Sequence, residues 1–322
     1  MWNFIIRRLF LTAIVLMVIS FLSFALMALM PGDPVEEMLA SNPKMKVEDV
    51  QRLKSLYGLD LPLHERYFNW VKDTLQGDLG YSRTYKVPVT ELMGERLLNT
   101  FLLSFSALLL SLLLAVPIGI VSALRNGTKF DYIANLFAFA GQSLPPFWFG
   151  IMLIMIFAEW LRIFPAGGTM TIGAELSGFE YLLDRLRYIT LPVLVFTVSQ
   201  MAVYVRFTRG AMIEVMRQDY IRTARAKGLA EKRVVFVHAF RNALIPLVTI
   251  VAIAMGTVFG GAIITEQVFA YQGVGKLVYE SIIGNDFRVA MVAFNITIAM
   301  VLIMNLIADV SYAFLDPRIA YK

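Results

Sequence analysis

The stretch 97-LLNTFLLSFSALLLSLLLAVPIGIVSAL-124 contains no Asp, Glu, Lys or Arg. A helix of about 20 apolar residues spans the hydrocarbon core of a bilayer, so this run is long enough to cross one. Five further segments meet the same test, at about 9–30, 132–160, 188–209, 243–265 and 288–314. The expected fold is therefore all-α and integral to a membrane, with six transmembrane helices.

Composition agrees. Of 322 residues, 58% are hydrophobic and 16% charged, whereas a soluble domain carries about a quarter charged residues. The absence of cysteine rules out disulfides, thiolate metal sites and thiol catalysis. His64 and His238 are too far apart in sequence to build a metal site by themselves. The net charge of +5 does not indicate nucleic acid, because the basic excess is confined to particular loops. Arg7 and Arg8 precede the first apolar run as in a signal peptide, but no A-x-A cleavage site follows, and the run is expected to stay as an anchor.

Loop charge predicts the orientation, since Lys and Arg near the membrane collect on the cytoplasmic side. Segment 206–241 holds nine basic residues against Glu214, Asp219 and Glu231. With Arg7, Arg8, Arg125, Lys129, Arg318 and Lys322 on the same side, both termini are expected in the cytoplasm. Loop 266–287 holds Lys276 against Glu266, Glu280 and Asp286, as an outside loop should. The expected layout is residues 1–30 as N-terminal segment and first span, 31–96 as an extracytoplasmic insertion, 97–316 as a five-helix domain and 317–322 as a cytoplasmic tail. In the insertion, Tyr67 and Trp70 are expected to be buried anchors of a folded cap.

Several spans contain helix breakers: Pro117 and Gly119, Pro145-Pro146, and Pro192. Backbone groups freed in hydrocarbon must be satisfied by neighbouring helices or by a water-lined cavity. Polar side chains recur at the same depth. Gln142, Ser143, Ser199, Gln200 and Asn295 are the candidates for lining a polar path. Hydrogen bonding between helices would account for them as well.

The inside loop at about 210–242 holds the most informative stretch, 218-QDYIRTARAKGL-229. Asp219 suits an N-cap and Gly228 the C′ position that closes a helix. Tyr220, Arg222, Thr223, Ala224, Arg225, Ala226 and Lys227 lie between them. Thr223, Ala224 and Ala226 are small, so another protein could approach the backbone closely, with Arg222, Arg225 and Lys227 around the contact. A basic helix resting on anionic lipid is the competing account. Such a helix would present bulky apolar residues, which this one lacks. A second helical stretch, Lys232–Phe240, leads towards the fifth span.

The run Tyr220–Leu229, followed by His238, Arg241, Asn242 and Pro246, resembles the cytoplasmic signature of permease subunits in bacterial ABC importers for dipeptides, oligopeptides, nickel and related solutes. The resemblance extends through Pro31-Gly32-Asp33-Pro34, Gly58-Leu59-Asp60, Gly77-Asp78-Leu79-Gly80, Thr265-Glu266, Gly273-Val274-Gly275 and Asp316-Pro317-Arg318. Two departures stand out. Arg222, Thr223 and Ala224 replace the usual Glu-Ala-Ala, as in the peptide branch, and Gln272 stands where proline is usual before Gly273.

The resemblance implies a type I ABC importer permease fold in a bacterial inner membrane. It makes the 218–229 helix the element that couples to ATPase subunits. It also implies partners: a second, homologous permease, two ATPases that hold ATP and Mg, an extracytoplasmic solute-binding protein and membrane lipid, but no nucleic acid. Dipeptides, oligopeptides, nickel, glutathione and oligosaccharides are the solutes of such permeases.

Catalytic motifs are missing. Gly273-Val274-Gly275-Lys276 lacks the glycine and the hydroxyl residue that a phosphate loop requires, with Ala270 and Leu277 in their places. His64-Glu65 is followed by Phe68 where a zinc protease needs its second histidine. Gly141-Gln142-Ser143-Leu144-Pro145 fails as a nucleophile elbow at its last position. The chain is expected to bind no cofactor or metal and to catalyse nothing itself. A channel or secondary transporter working without ATPases is the main alternative.

Overall fold

The computed structural model describes residues 2–29, 60–257 and 263–315, with Asp49, Gln51, Arg52 and Ser55 between the first two ranges. The Pro31–Pro34, Gly58-Leu59 and Asp316–Arg318 motifs, the tail and the far end of the fifth span lie outside the described residues. Among the described residues there is no strand, only an isolated bridge between Tyr81 and Pro88.

Five helices are long and apolar enough to cross a membrane, and a bent pair makes a sixth crossing. The first is α1 (Trp2–Leu29). After it, α2 (Leu63–Leu75) lies in the insertion. The Tyr67 hydroxyl of α2 is 2.7 Å from Ser20 Oγ, and its ring meets Phe21 and Phe24 edge-on at 5.2 and 5.7 Å. Tyr67 is buried, as expected, whereas Trp70 is only half-buried.

The central pair is α3 (Val89–Leu124) and α6 (Gly178–Met216). With 36 residues, α3 is about 54 Å long at 1.5 Å per residue. It therefore outruns the expected 97–124 span at its N-terminal end. The extra turns are held by Val89 and Met93, which pack with Val274, Leu277, Val289 and Val292. Deeper in, α3 and α6 approach closely at Gly119, where a Cβ would stand 2.7 Å from Thr208 Cβ and 3.0 Å from the Val205 carbonyl. Small residues at membrane helix contacts permit this approach, and packing then supplies the attraction.

The third span, expected as one helix over 132–160, is broken. Helix α4 (Lys129–Ser143) and helix α5 (Pro146–Leu153) with its continuation Ile154–Trp160 meet at 99°. Neither Pro145 nor Pro146 has an N–H to give, and each biases its predecessor towards extended backbone. Leu144 and Pro145 are both extended, with ψ of 124° and 128°.

At one end of the bundle lie α7 (Asp219–Ala226) and α8 (Glu231–Arg233). The chain then winds through a wide π turn, Val234–Ala239, directly into α9 (Phe240–Thr257). The helical stretch expected at Lys232–Phe240 is thus the foot of the fifth span rather than a separate helix. At the other end, α10 (Ile263–Val268) and α11 (Val274–Ile283) precede the last span, α12 (Phe287–Leu315). The first span leans on α12 through Ser23–Asn295 and through an Arg8–Asp309 ion pair at 3.1 Å.

Candidate functional site

One end of the bundle is built around α7. Its N-cap is Gln218, not Asp219: Gln218 is extended (ψ 149°), and its carbonyl accepts from Ile221 and Arg222 at 3.1 and 3.3 Å. Asp219 is the first helical residue and makes an exposed ion pair with Arg222 at 3.6 Å. The other end fulfils the expectation for Gly228. It adopts φ +74°, a region that favours glycine. Its N–H donates to Arg225 O at 2.9 Å, while Leu229 N–H reaches back to Ala224 O at 3.4 Å. This is a Schellman closure.

The small residues of α7 do not share a face. Ile221 (0% exposed) and Ala224 (7%) point inward and pack with Met212, Val234, Val235 and Ala239. Ala224, expected to meet another protein, is therefore part of this chain's own core. The spacing explains it: Ile221 and Ala224 are i, i+3 neighbours on one side of the helix. Tyr220, Arg222, Thr223, Ala226, Lys227 and Gly228 remain exposed. Arg225 is engaged within the chain, donating to Glu231 from Nε at 3.1 Å and from Nη2 at 2.6 Å.

Behind α7 lies a buried clamp that loop-charge counting did not reveal. Asp131, at the foot of α4, is 3% exposed and accepts a bidentate pair of bonds from Arg209 of α6, at 2.6 and 2.7 Å. Ser122 and the Gly127 N–H donate to the same carboxylate, so its lone pairs are filled. Such saturation is what makes a buried ion pair tolerable.

At the opposite end, α10 and α11 are fastened to the N-terminal part of α3. Glu266, 0% exposed, accepts from Thr100 Oγ1 at 2.6 Å and from Lys276 N–H at 2.8 Å. Its carboxylate thereby closes the N-terminus of α11, where negative charge is favoured. Burial pushes the Glu266 carboxyl up from its ordinary value, against the pull of Thr100 and the α11 amides. Gly273 is required beside it, because a Cβ there would lie 2.1 Å from Glu266 Oε1. Asn99 Nδ2 donates to Gln272 O at 2.8 Å.

The five path candidates are scattered. Gln142 and Ser143 are exposed at the break between α4 and α5. Ser199 and Gln200 are half-buried on α6. Ser199 bonds to the Val195 carbonyl at 2.9 Å, and Gln200 accepts from Tyr204 at 3.1 Å. Asn295 is buried, bonding Ser23 and Met291 O at 2.9 and 2.8 Å. It joins two helices. Among the described residues no three or more His, Cys, Asp or Glu gather as for a metal ion.

A multi-pass helical body, a short helical knob at one end and a cap of two short helices at the other are those of an integral membrane protein. The chain belongs to the family described as binding-protein-dependent transport system inner membrane component, which matches residues 115–321. The N-terminal part of such membrane components matches residues 1–104. The chain is 41% identical over 319 residues to the oligopeptide transport system permease protein AppB of Bacillus subtilis (strain 168), covering 99% of each chain. To the dipeptide transport system permease protein DppB of Escherichia coli (strain K12) it is 34% identical, covering 100% of each. Its fold is that of the MetNI methionine ABC transporter in inward facing conformations. The TM-score is 0.58 at 16% identity, over 70% of this chain and 97% of that one. The resemblance read from the motifs and the type I importer permease fold are both met.

Proposed function

We propose that this permease forms half of a translocation path for peptides or a related solute, and that α7 couples it to ATPase subunits. A second, homologous permease supplies the other half. Two ATPases, with their ATP and Mg, sit on the cytoplasmic side, and a solute-binding protein delivers from outside. Both termini and α7 lie in the cytoplasm in this account, as the loop charges require.

Helix α7 carries the proposal. It is anchored from within by Ile221 and Ala224, while Tyr220, Thr223, Ala226, Lys227 and Gly228 are left bare. A helix resting on lipid would turn bulky apolar residues outward. This one, Tyr220 apart, turns small and polar residues outward, held still by the Gly228 closure and by Arg225–Glu231. A knob of that kind fits a groove on another protein. Closure of the ATPase pair would then move α7, and with it α9, because only the 227–230 turn, α8 and one π turn separate them. The ATP-bound state need only favour one permease conformation over the other. Gln142 and Ser143, exposed where α4 breaks, are the residues assigned to the path.

The peptide assignment rests on likeness to the oligopeptide and dipeptide permeases. Uptake of a labelled peptide into vesicles holding the two permeases and the ATPases, with the binding protein added, tests it. ATP-dependent uptake is expected; uptake that proceeds without ATP would place the chain among channels or secondary transporters.

A further inference from the structure

At the outer mouth two arginines converge on one chain of amides. Arg185, on the outer turns of α6, donates to Asn99 Oδ1. Asn99 Nδ2 donates to the Gln272 carbonyl at 2.8 Å, and Gln272 Oε1 accepts from Arg96. The sequence Arg185–Asn99–Gln272–Arg96 thus links the tops of α3 and α6 to the outer cap. Each guanidinium also lies over a tyrosine ring, Arg96 over Tyr85 and Arg185 over Tyr181, both 5.9 Å from the centroid.

Among the described residues no carboxylate is within ion-pair distance of Arg96 or Arg185, although Glu266 and Glu280 are near enough to Arg96 to feel its charge. Three carboxylates of this end are hydrogen-bonded to other groups. Glu266 is taken by Thr100 and the α11 amides, Glu280 by Lys276 and Tyr85, and Asp184 by Thr171. A guanidinium is always charged and offers five N–H donors in a rigid fork. Arg96 and Arg185 each spend one on a neutral amide oxygen and are only half-buried. A planar anion with two oxygens is the complement of what remains. Gln272 matters here, because proline at that position would offer no side-chain oxygen to orient Arg96.

We propose that Arg96 and Arg185, set by Asn99 and Gln272, form a site at the outer mouth that receives the C-terminal carboxylate of the peptide as it enters the path. The proposal rests on the peptide reading of the solute. Partial exposure keeps the contact weak, as a path requires, since a solute held tightly would not leave.

The test compares one tripeptide as free acid and as C-terminal amide. Uptake is measured by the reconstituted importer at saturating binding protein loaded with each. The ratio of acid to amide uptake is expected to reach about two to five for the parent, the effect of one partly screened charge pair. It should fall towards one in Arg96→Gln and Arg185→Gln, with Arg185→Lys intermediate because it keeps the charge without the fork. A ratio that stays at the parental value in both glutamine variants would overturn the proposal and leave the arginines as fasteners of the cap. A parent ratio near one would overturn it as well. Failure of the parent to take up either peptide would instead remove the peptide reading, and this site with it.

Discussion

Arg225 grips Glu231 through two nitrogens, at 3.1 and 2.6 Å, and so ties the end of α7 to the foot of the helix that enters the membrane. The pair is half exposed, so it contributes little to stability, about 0–1 kcal/mol. Its expected effect is on coupling. Arg225→Glu and Glu231→Arg should each lower solute-stimulated ATP turnover several-fold, and the double exchange should restore most of it. Such a cycle isolates the pair; independent, additive losses would show that the tie transmits nothing.

Arg209 and Asp131 behave differently because they are buried. Removing one partner leaves a charge without compensation, at a cost of about 3–5 kcal/mol. Arg209→Met should therefore lower the thermal midpoint in detergent sharply. The double variant Arg209→Met with Asp131→Leu should recover much of the loss. Equal midpoints for parent and Arg209→Met would show that the clamp bears no load.

Gly273→Ala should loosen the outer cap, because the new Cβ would occupy the space of the Glu266 carboxylate. The thermal midpoint is expected to fall by several degrees. In a Glu266→Ala background, already weakened at Thr100 and α11, the same substitution should add almost nothing. An undiminished penalty there would place the clash elsewhere.

Orientation can be read with single cysteines, because the chain has none of its own. Gln76→Cys, exposed just beyond α2, should react with an impermeant reagent on intact protoplasts, and Lys227→Cys should not. Lys227 is preferable to Gly228, whose φ of +74° would strain a cysteine. Reaction at Lys227 in sealed cells would invert the topology.

The sequence reading succeeded where one local signal decides the structure. Apolar length places the spans, and Gly228 marks the end of α7 because few other residues adopt its backbone. It did less well where the answer depends on a distant neighbour. Small size at Ala224 does not say which side of the helix faces the core; Met212, Val234 and Val235 decide that. Asn295 looked like a path residue until Ser23 of the first helix met it. Asp131 and Arg209 are 78 positions apart, and charge counting treats each as a loop residue. Two adjacent prolines mark 145–146 as a weak point in the span but do not fix the 99° between α4 and α5, where Gly150 of α5 lies close to Val268 and Phe269.

The docking of α7 is tested most directly by bulk placed on its bare side. Thr223 is exposed, with its hydroxyl bonded only to Asp219 O at 2.9 Å, so Thr223→Trp should leave the permease folded and inserted. The measurement is co-purification of the ATPase subunits with this variant, alongside ATP turnover of the reconstituted complex. If α7 sits in an ATPase groove, Thr223→Trp should lose most of the bound ATPase and of the solute-stimulated turnover, while its thermal midpoint stays within a degree or two of the parent. Parental co-purification and turnover in Thr223→Trp would contradict the docking of α7 and favour a helix that rests on lipid.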